Sequence, residues 1–100
     1  MNIKTKKNGT TVIFTVSGRI DTTTAPALEA EVKPQLGGVT ELILDFEDVK
    51  YVSSAGLRVL LSLKKIMMKQ GEMKLVKVPA VVSDVFEVTG FDEILTYERL

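Results

Sequence analysis

Residues 45–61, DFEDVKYVSSAGLRVLL, contain the pattern around which the rest of the chain is organised. They are typical of a buried strand that ends, a short polar crossing, and a helix that opens with Ser53-Ser54-Ala55-Gly56. A helix N-terminus offers unpaired N–H groups and a partial positive charge, so it tolerates a phosphate group. Ser54 is therefore a candidate phosphate acceptor, on a small α/β domain that presents it to a partner.

The hydrophobic periodicity predicts the element order β-β-α-β-α-β-α-β. This order indicates one α/β domain over residues 1–100, with a mixed, mostly parallel sheet, an opening β-hairpin and then βαβ units with helices packed against the sheet. Strands are expected at 1–7, 10–17, 39–46, 73–78 and 94–97, and helices at 25–36, 54–70 and from Pro79 to Gly90.

Local signals set the expected ends of these elements. Asn8-Gly9 predicts a hairpin turn, and Gly18 is expected to end the second strand. Thr23 or Thr24 could cap the first helix, and Pro34 predicts a kink or an early stop near Val32.

Three further expectations concern the later elements. Leu42-Ile43-Leu44 suggests a strand covered on both faces, and Gly71 suits the left-handed position after a helix. Val81, Val82, Val85 and Phe86 are expected to lie together on the last helix.

Composition argues against several classes of function. The 100 residues are 45% hydrophobic with 13 basic and 13 acidic residues, so no net charge attracts nucleic acid or an anionic membrane. No apolar run could span a bilayer, and no signal peptide is visible, so a cytoplasmic protein is expected.

The chain has no histidine and no cysteine, so Ser54 lacks the usual base for nucleophilic catalysis. The motifs Ser-x-x-Lys around this serine, G-x-S-x-G and the phosphate-binding P-loop are also absent. Asp21, Asp45, Glu47 and Asp48 would make only a weak Mg²⁺ or Ca²⁺ site. We therefore expect no enzyme, cofactor or metal site.

Polar residues follow two strands that are expected to be parallel neighbours. Their carboxyl ends would bring Asp21, Thr22, Asp45, Ser53 and Ser54 onto one polar surface. The residues at both helix starts also have a simpler interpretation. Ser53-Ser54 at one start, and Asp21 with its threonines at the other, could be helix caps and nothing more.

The same residues resemble a known family. Residues 45–61 are similar to the signature of STAS domains and, more narrowly, of stand-alone anti-sigma factor antagonists. Supporting similarities are Gly18-Arg19-Ile20-Asp21 with Thr22 and Ala25, Gly71-Glu72, and Val85-Phe86 followed by Gly90-Phe91. The similarity covers essentially the whole chain.

This resemblance implies a partner switch. The unphosphorylated protein would bind an anti-sigma factor that is also a serine kinase, which phosphorylates it and releases it, and a PP2C-type phosphatase would restore it. By position the acceptor is Ser54, with Ser53 as the second candidate where many members have aspartate. Partner contacts are expected at Asp21, Thr22, Thr23, Ser53, Ala55, Gly56, Leu57 and Arg58.

Two alternatives belong to other classes. A nucleotide-sensing module would use Thr22, Thr23 and Ser53 on a phosphate, although no glycine-rich loop supports it. A subunit of a larger signalling assembly would form a stable oligomer, whereas a switch protein is expected to be a monomer or weak dimer. The sequence favours the phosphorylation-controlled binding module.

Overall fold

The computed structural model describes residues 1–100 and contains five strands and three α-helices. In chain order the elements are β1 (Asn2–Asn8), β2 (Thr11–Ile20), α1 (Ala25–Val32), a 3₁₀ turn (Lys33–Gln35), β3 (Glu41–Val52), α2 (Ser54–Met68), β4 (Glu72–Val78), α3 (Ala80–Thr89), a second 3₁₀ turn (Phe91–Glu93) and β5 (Tyr97–Arg99).

The strands form a single sheet in the order β1-β2-β3-β4-β5. β1 and β2 are antiparallel, while β2, β3, β4 and β5 are parallel neighbours. The predicted mixed, mostly parallel sheet with an opening hairpin is confirmed. Because each parallel strand lies beside the previous one, right-handed crossovers place α1, α2 and α3 on the same face of the sheet.

The hairpin forms where the sequence predicts it. Asn8 pairs with Thr11, and Gly9 takes a φ of +63°, which suits a tight two-residue loop. Asn8 itself remains in the strand, so only Gly9 needs the left-handed conformation. The outer strand β1 carries Lys4, Lys6 and Lys7, all exposed, as expected for a protected sheet edge.

Burial alternates along β3. Leu42, Leu44 and Phe46 are fully buried, whereas Ile43 and Asp45 between them are only half-buried. The prediction that this strand is covered on both faces is therefore wrong. The cause is the strand order, which leaves one face of the sheet without a helix layer.

β2 and β3 both extend beyond their predicted ends. Gly18 does not end β2; it takes a φ of +93° at a register shift, and the strand continues through Ile20. Arg19 pairs with Tyr51 and Ile20 with Val52, so the expected polar crossing is the second half of β3. Buried Val49 and Val52 anchor this extension to the core.

α1 ends at Val32, and Pro34 lies in the 3₁₀ turn that follows, which confirms the predicted early stop. Ala25, Leu28, Val32 and Leu36, which recur at helical spacing, are all buried.

Gly71 has a different role from the predicted left-handed cap. Its φ is not positive, but a Cβ there would lie 2.0 Å from the carbonyl oxygen of Thr40. The glycine allows the start of β4 to pass close to the chain that leads into β3.

The C-terminal region departs from prediction in two places. On α3 the buried residues are Val82, Ser83 and Phe86, while Val81 is 51% exposed. The last strand begins at Tyr97, whose ring packs edge-on against Phe86 with centroids 5.1 Å apart. Gly90 ends α3 with a φ of +80°, as expected.

The buried apolar side chains form one cluster of 25 residues between the helices and the sheet. This continuous core fixes the helices on the sheet and so positions the residues at the helix starts. No helix has the length and apolar character needed to cross a membrane.

Candidate functional site

The starts of α1 and α2 lie side by side at the carboxyl ends of β2 and β3. The backbone N–H of Ser53 donates a hydrogen bond of 2.8 Å to the carbonyl of Ile20, which joins the two segments directly. Gly56 is buried, and a Cβ there would lie 2.8 Å from Cγ2 of Ile20. The absence of a side chain at Gly56 therefore lets α2 approach β2.

We call the accessible residues around this junction the helix-start surface. It consists of Asp21, Thr22, Thr23, Ser53, Ser54, Ala55 and Arg58, all exposed or half-buried. The predicted convergence of the two loops is confirmed for Asp21, Thr22, Ser53 and Ser54, because β2 and β3 are parallel neighbours.

The two adjacent serines have different environments. Ser53 is the N-cap of α2, and its Oγ accepts a hydrogen bond of 3.3 Å from the backbone N–H of Gly56. Ser54 is the first residue of the helix, is exposed, and makes no side-chain hydrogen bond within the molecule. The cap interpretation thus applies to Ser53 and leaves the hydroxyl of Ser54 free.

The Asp21 carboxylate organises the start of α1. Its Oδ1 accepts hydrogen bonds from the backbone N–H groups of Thr23 at 3.0 Å and Thr24 at 3.1 Å, and from the Thr23 hydroxyl at 2.7 Å. Thr24 occupies the N-cap position of α1, as predicted, but its side chain makes no capping hydrogen bond, and the Asp21 carboxylate instead holds the turn that leads into the helix. The Thr24 hydroxyl instead accepts from the N–H of Asp21 and donates to the carbonyl of Arg19, both at 2.8 Å.

These hydrogen bonds hold the pKa of Asp21 below its ordinary value of 3.8, and the bond from the Thr23 hydroxyl contributes most. The guanidinium of Arg19 lies 3.8 Å from the carboxylate and stacks 4.3 Å above the centre of the Tyr51 ring. Asp21 is thus an anion fixed in one orientation by its own loop.

The remaining residues predicted to contact a partner differ in their exposure to solvent. Thr22 and Thr23 are exposed and Ala55 is half-buried, so the surface beside Ser54 is low. Arg58 is exposed one helical turn further along α2. Gly56 and Leu57 lie beneath this surface, with Leu57 only 5% exposed, and they support it from the core side.

Asp45 does not belong to this surface, contrary to the sequence-based expectation. It pairs with Thr15 in the middle of the strands, roughly 20 Å from the end of β3 at about 3.3 Å per residue. Its carboxylate accepts from the N–H of Glu47 and lies 3.9 Å from Nζ of Lys77. The expectation failed because β3 continues well past Phe46.

Sequence analysis also missed Ile20 and the stacked pair of Arg19 and Tyr51. All three were assigned to loops, yet they are paired strand residues. The apolar residues Val49 and Val52 were the available sequence signal that β3 continues this far, but their spacing of three residues does not match the two-residue period of a strand.

Comparison with known proteins gives a consistent result. The family model described as "STAS domain" matches residues 2–100. A Bordetella bronchiseptica protein named as an anti-sigma factor antagonist, BtrV, is 39% identical over 82 residues, which cover 80% of this chain and 71% of that protein. The anti-sigma-B factor antagonist of Bacillus subtilis is 29% identical over 96 residues, covering 95% of this chain and 88% of the relative.

Solved structures share the fold. One from Thermotoga maritima, described as an anti-sigma factor antagonist, has a TM-score of 0.88 at 22% identity and covers 98% of this chain and 87% of its own. The Bacillus antagonist SpoIIAA, at 19% identity, has TM-scores of 0.83 in its unphosphorylated form and 0.74 in its phosphorylated form. Those two matches cover 97% of this chain in each case and 88% and 91% of the SpoIIAA chains.

Proposed function

The chain is a STAS domain of the anti-sigma factor antagonist family, and we propose that it acts as an antagonist whose binding is switched by phosphorylation of Ser54. The observation that carries the proposal is the free, exposed hydroxyl of Ser54 at the first position of α2. Antagonists of this family are binding proteins rather than enzymes, and the function of this chain is accordingly to bind.

Ser54 is favoured over Ser53 as the acceptor because of the hydrogen bonds at the helix start. A kinase must reach the hydroxyl and remove its proton, and Ser54 offers an exposed hydroxyl without a partner. The hydroxyl of Ser53 accepts a hydrogen bond from the N–H of Gly56. Ser53 is also half-buried, and so it is less accessible to a kinase than the exposed Ser54. Phosphorylation of Ser53 would also disturb the N-cap of α2.

The proposed switch acts on the helix-start surface without reshaping the fold. Phosphate at the start of a helix adds about 1.5–2 negative charges in a place where the helix dipole tolerates them. The Asp21 carboxylate on the same surface is already paired with Arg19, so this loop offers no free positive charge to neutralise the phosphate. A partner that fits the low, unmodified surface would then meet both bulk and repulsion. SpoIIAA, solved in both forms, supports a phosphorylated state that remains folded.

The proposed partners follow from the family. The unmodified domain binds an anti-sigma factor that is also a serine kinase, and a PP2C-type phosphatase acts on the phosphorylated form. Both steps take place in the cytoplasm and involve no direct contact with nucleic acid. Asp21, Thr22, Thr23, Ser53, Ala55 and Arg58 are the proposed contact residues, above a base formed by Gly56 and Leu57.

Incubation with ATP and a candidate kinase encoded nearby tests the acceptor directly. We expect intact mass to show one added phosphate and peptide mapping to place it on Ser54, with none added to Ser54→Ala. Ser53→Ala is the matched control and should still be phosphorylated. Phosphate on Ser53 in the wild type, or undiminished phosphorylation of Ser54→Ala, would contradict the assignment.

Binding to the same kinase tests the switch itself. We expect Ser54→Ala to bind as the unmodified wild type does, and the phosphorylated protein to bind at least about tenfold more weakly, since like charges placed together cost several kcal/mol at an interface. Calorimetry with both forms measures this difference. Equal affinity of the two forms would rule out a phosphorylation-controlled interface.

A further inference from the structure

We propose that Arg58 binds the phosphate of phosphorylated Ser54, so that the modification also withdraws a cation from the partner surface. This inference rests on the proposed acceptor and concerns what the phosphate contacts once it is attached. Nothing in the role of Ser54 alone requires it.

The helical spacing brings the two side chains together. Ser54 and Arg58 are four residues apart in α2, which runs unbroken from Ser54 to Met68. Residues at this spacing have Cβ atoms about 5–6 Å apart on one helix face. Long side chains in a helix also lean back towards its N-terminus, which directs Arg58 towards the turn that holds Ser54.

Arg58 is free to make this contact. It is exposed, and no ion pair, hydrogen bond or aromatic stacking within the molecule involves its guanidinium. Arg19, the other arginine near the junction, is already engaged with Asp21 and the Tyr51 ring. A guanidinium can offer two parallel N–H groups to a phosphate, and it remains charged at any ordinary pH.

Lys50 is the competing cation, because it is exposed near the end of β3 and also has no ion-pair partner. It precedes Ser53 in an extended strand and therefore has no fixed spacing to Ser54 of the kind a helix provides. The continuous helix between Ser54 and Arg58 favours the arginine.

The proposed contact changes two neighbouring positions at once. Before modification, the helix-start surface presents a hydroxyl and an unpaired cation, which suits an acidic side chain on the partner. After modification, Arg58 is bound within the domain and the remaining charge at this position is negative. The partner loses an attractive contact in addition to meeting the phosphate.

The test uses the full chain with phosphoserine incorporated at position 54 during translation, so that it needs no kinase. Phosphorus NMR then follows the second ionisation of the phosphate, whose ordinary pKa is about 6. A nearby cation stabilises the dianion and lowers this pKa, so Arg58→Gln should raise it by about 0.3–0.7 of a unit. Arg58→Lys should restore part of the difference, because the charge returns without the planar pair of donors.

Two matched variants make the result specific. Lys65→Gln removes the same charge from the exposed side of α2, about 10 Å further along the helix, and should leave the phosphate pKa unchanged. Lys50→Gln tests the competing cation. The proposal is overturned if the pKa is equal in the wild type and Arg58→Gln, or if Lys50→Gln or Lys65→Gln raises it as much. If no kinase modifies Ser54, that outcome counts against the proposed function, but it does not change the effect of Arg58→Gln on the phosphate pKa.

Discussion

Ser53 and Ser54 are chemically identical neighbours with separate tasks in the structure. Ser53 closes the first turn of α2 through the N–H of Gly56, whereas Ser54 stabilises nothing within the molecule. We expect Ser53→Ala to lower the free energy of unfolding by about 1 kcal/mol, the usual cost of a lost N-cap. Ser54→Ala should change it by less than about 0.5 kcal/mol, as is usual for an exposed position.

Urea unfolding of the two variants beside the wild type measures both values. Because the substitutions are the same and the positions adjacent, the comparison isolates the capping bond. A larger loss for Ser54→Ala than for Ser53→Ala would mean that Ser54 is the structural serine.

Asp21 gives the start of α1 a dependence on pH. Its pKa is lower in the folded protein than its ordinary value of 3.8, so its contribution to stability is present above that value and is lost as the pH falls through the folded pKa. We expect Asp21→Asn to melt a few degrees below the wild type at pH 7. The difference should shrink steadily below about pH 4.

Thermal unfolding from pH 7 to pH 2 checks this expectation. Thr23→Val is a useful second variant, because it removes the hydrogen bond that contributes most to the lowered pKa. A difference between wild type and Asp21→Asn that stays constant over the whole range would show that the charge of the carboxylate is not involved.

At the scale of residues, the sequence predicted which positions lie at the helix starts better than it predicted their hydrogen-bond partners. Ser54 and Asp21 were identified because helix starts follow recognisable patterns of small polar residues. The sequence offered Thr23, Thr24 and Asp21 as possible caps without deciding among them, and in the structure the Asp21 carboxylate accepts from the N–H groups of Thr23 and Thr24. Any of several polar side chains can cap a helix, and only the backbone geometry decides which one does.

At the scale of elements, Gly71 and Gly37 form a natural pair for substitution. A Cβ at Gly71 would lie 2.0 Å from the Thr40 carbonyl, while a Cβ at Gly37 would meet nothing within 4 Å. We expect Gly71→Ala to lower the free energy of unfolding by about 1–3 kcal/mol, because the start of β4 must move away from the chain leading into β3. Gly37→Ala should be neutral or stabilise by up to about 1 kcal/mol.

Chemical denaturation of both variants measures the difference, and hydrogen exchange at Glu72 locates it. The N–H of Glu72 donates to the Thr40 carbonyl at 2.9 Å and should exchange faster in Gly71→Ala. Equal stability of the two alanine variants would contradict the close approach of these segments.

The types of the elements were predictable from the sequence, but the lengths of β2 and β3 were not. Each strand was expected to end where polar residues begin, at Gly18 and after Phe46. In the structure a register shift at Gly18 allows the pairing to resume as far as Ile20 and Val52. A register shift of this kind depends on how the two strands pair, so it cannot be predicted from the sequence of β2 or of β3 taken separately.

At the scale of the whole molecule, the single helix layer makes the two faces of the sheet unequal. Leu44 is fully buried beneath the helices, and its neighbour Ile43 is half-buried on the other face. We expect Leu44→Ala to lower the free energy of unfolding by about 2–5 kcal/mol. Ile43→Ala should lower it by only about 1 kcal/mol.

Both variants should unfold in one cooperative transition, because the core is one continuous cluster. Urea unfolding followed by circular dichroism and by tyrosine fluorescence gives the two free energies and tests the cooperativity. Equal losses at Ile43 and Leu44 would indicate that a second layer covers the sheet.

The overall architecture followed from the order of elements, because right-handed crossovers leave few ways to connect one hairpin and three βαβ units. The sequence did not reveal that all three crossovers return on one side. That outcome depends on the sheet growing in one direction, and an apolar run such as Leu42-Ile43-Leu44 is equally compatible with one or two covered faces.

The order of the strands in the sheet also has a kinetic consequence. Each strand from β2 onward pairs with the strand that precedes it in the chain, so no pairing waits for a segment made much later. Such a topology is expected to fold at a rate between those of helical bundles and all-β domains, because each parallel pair closes over one helix and its loops. All residues of the helix-start surface precede β4 in the chain, but α2 packs on both β3 and β4, so a growing chain completes this surface only after β4 has been added.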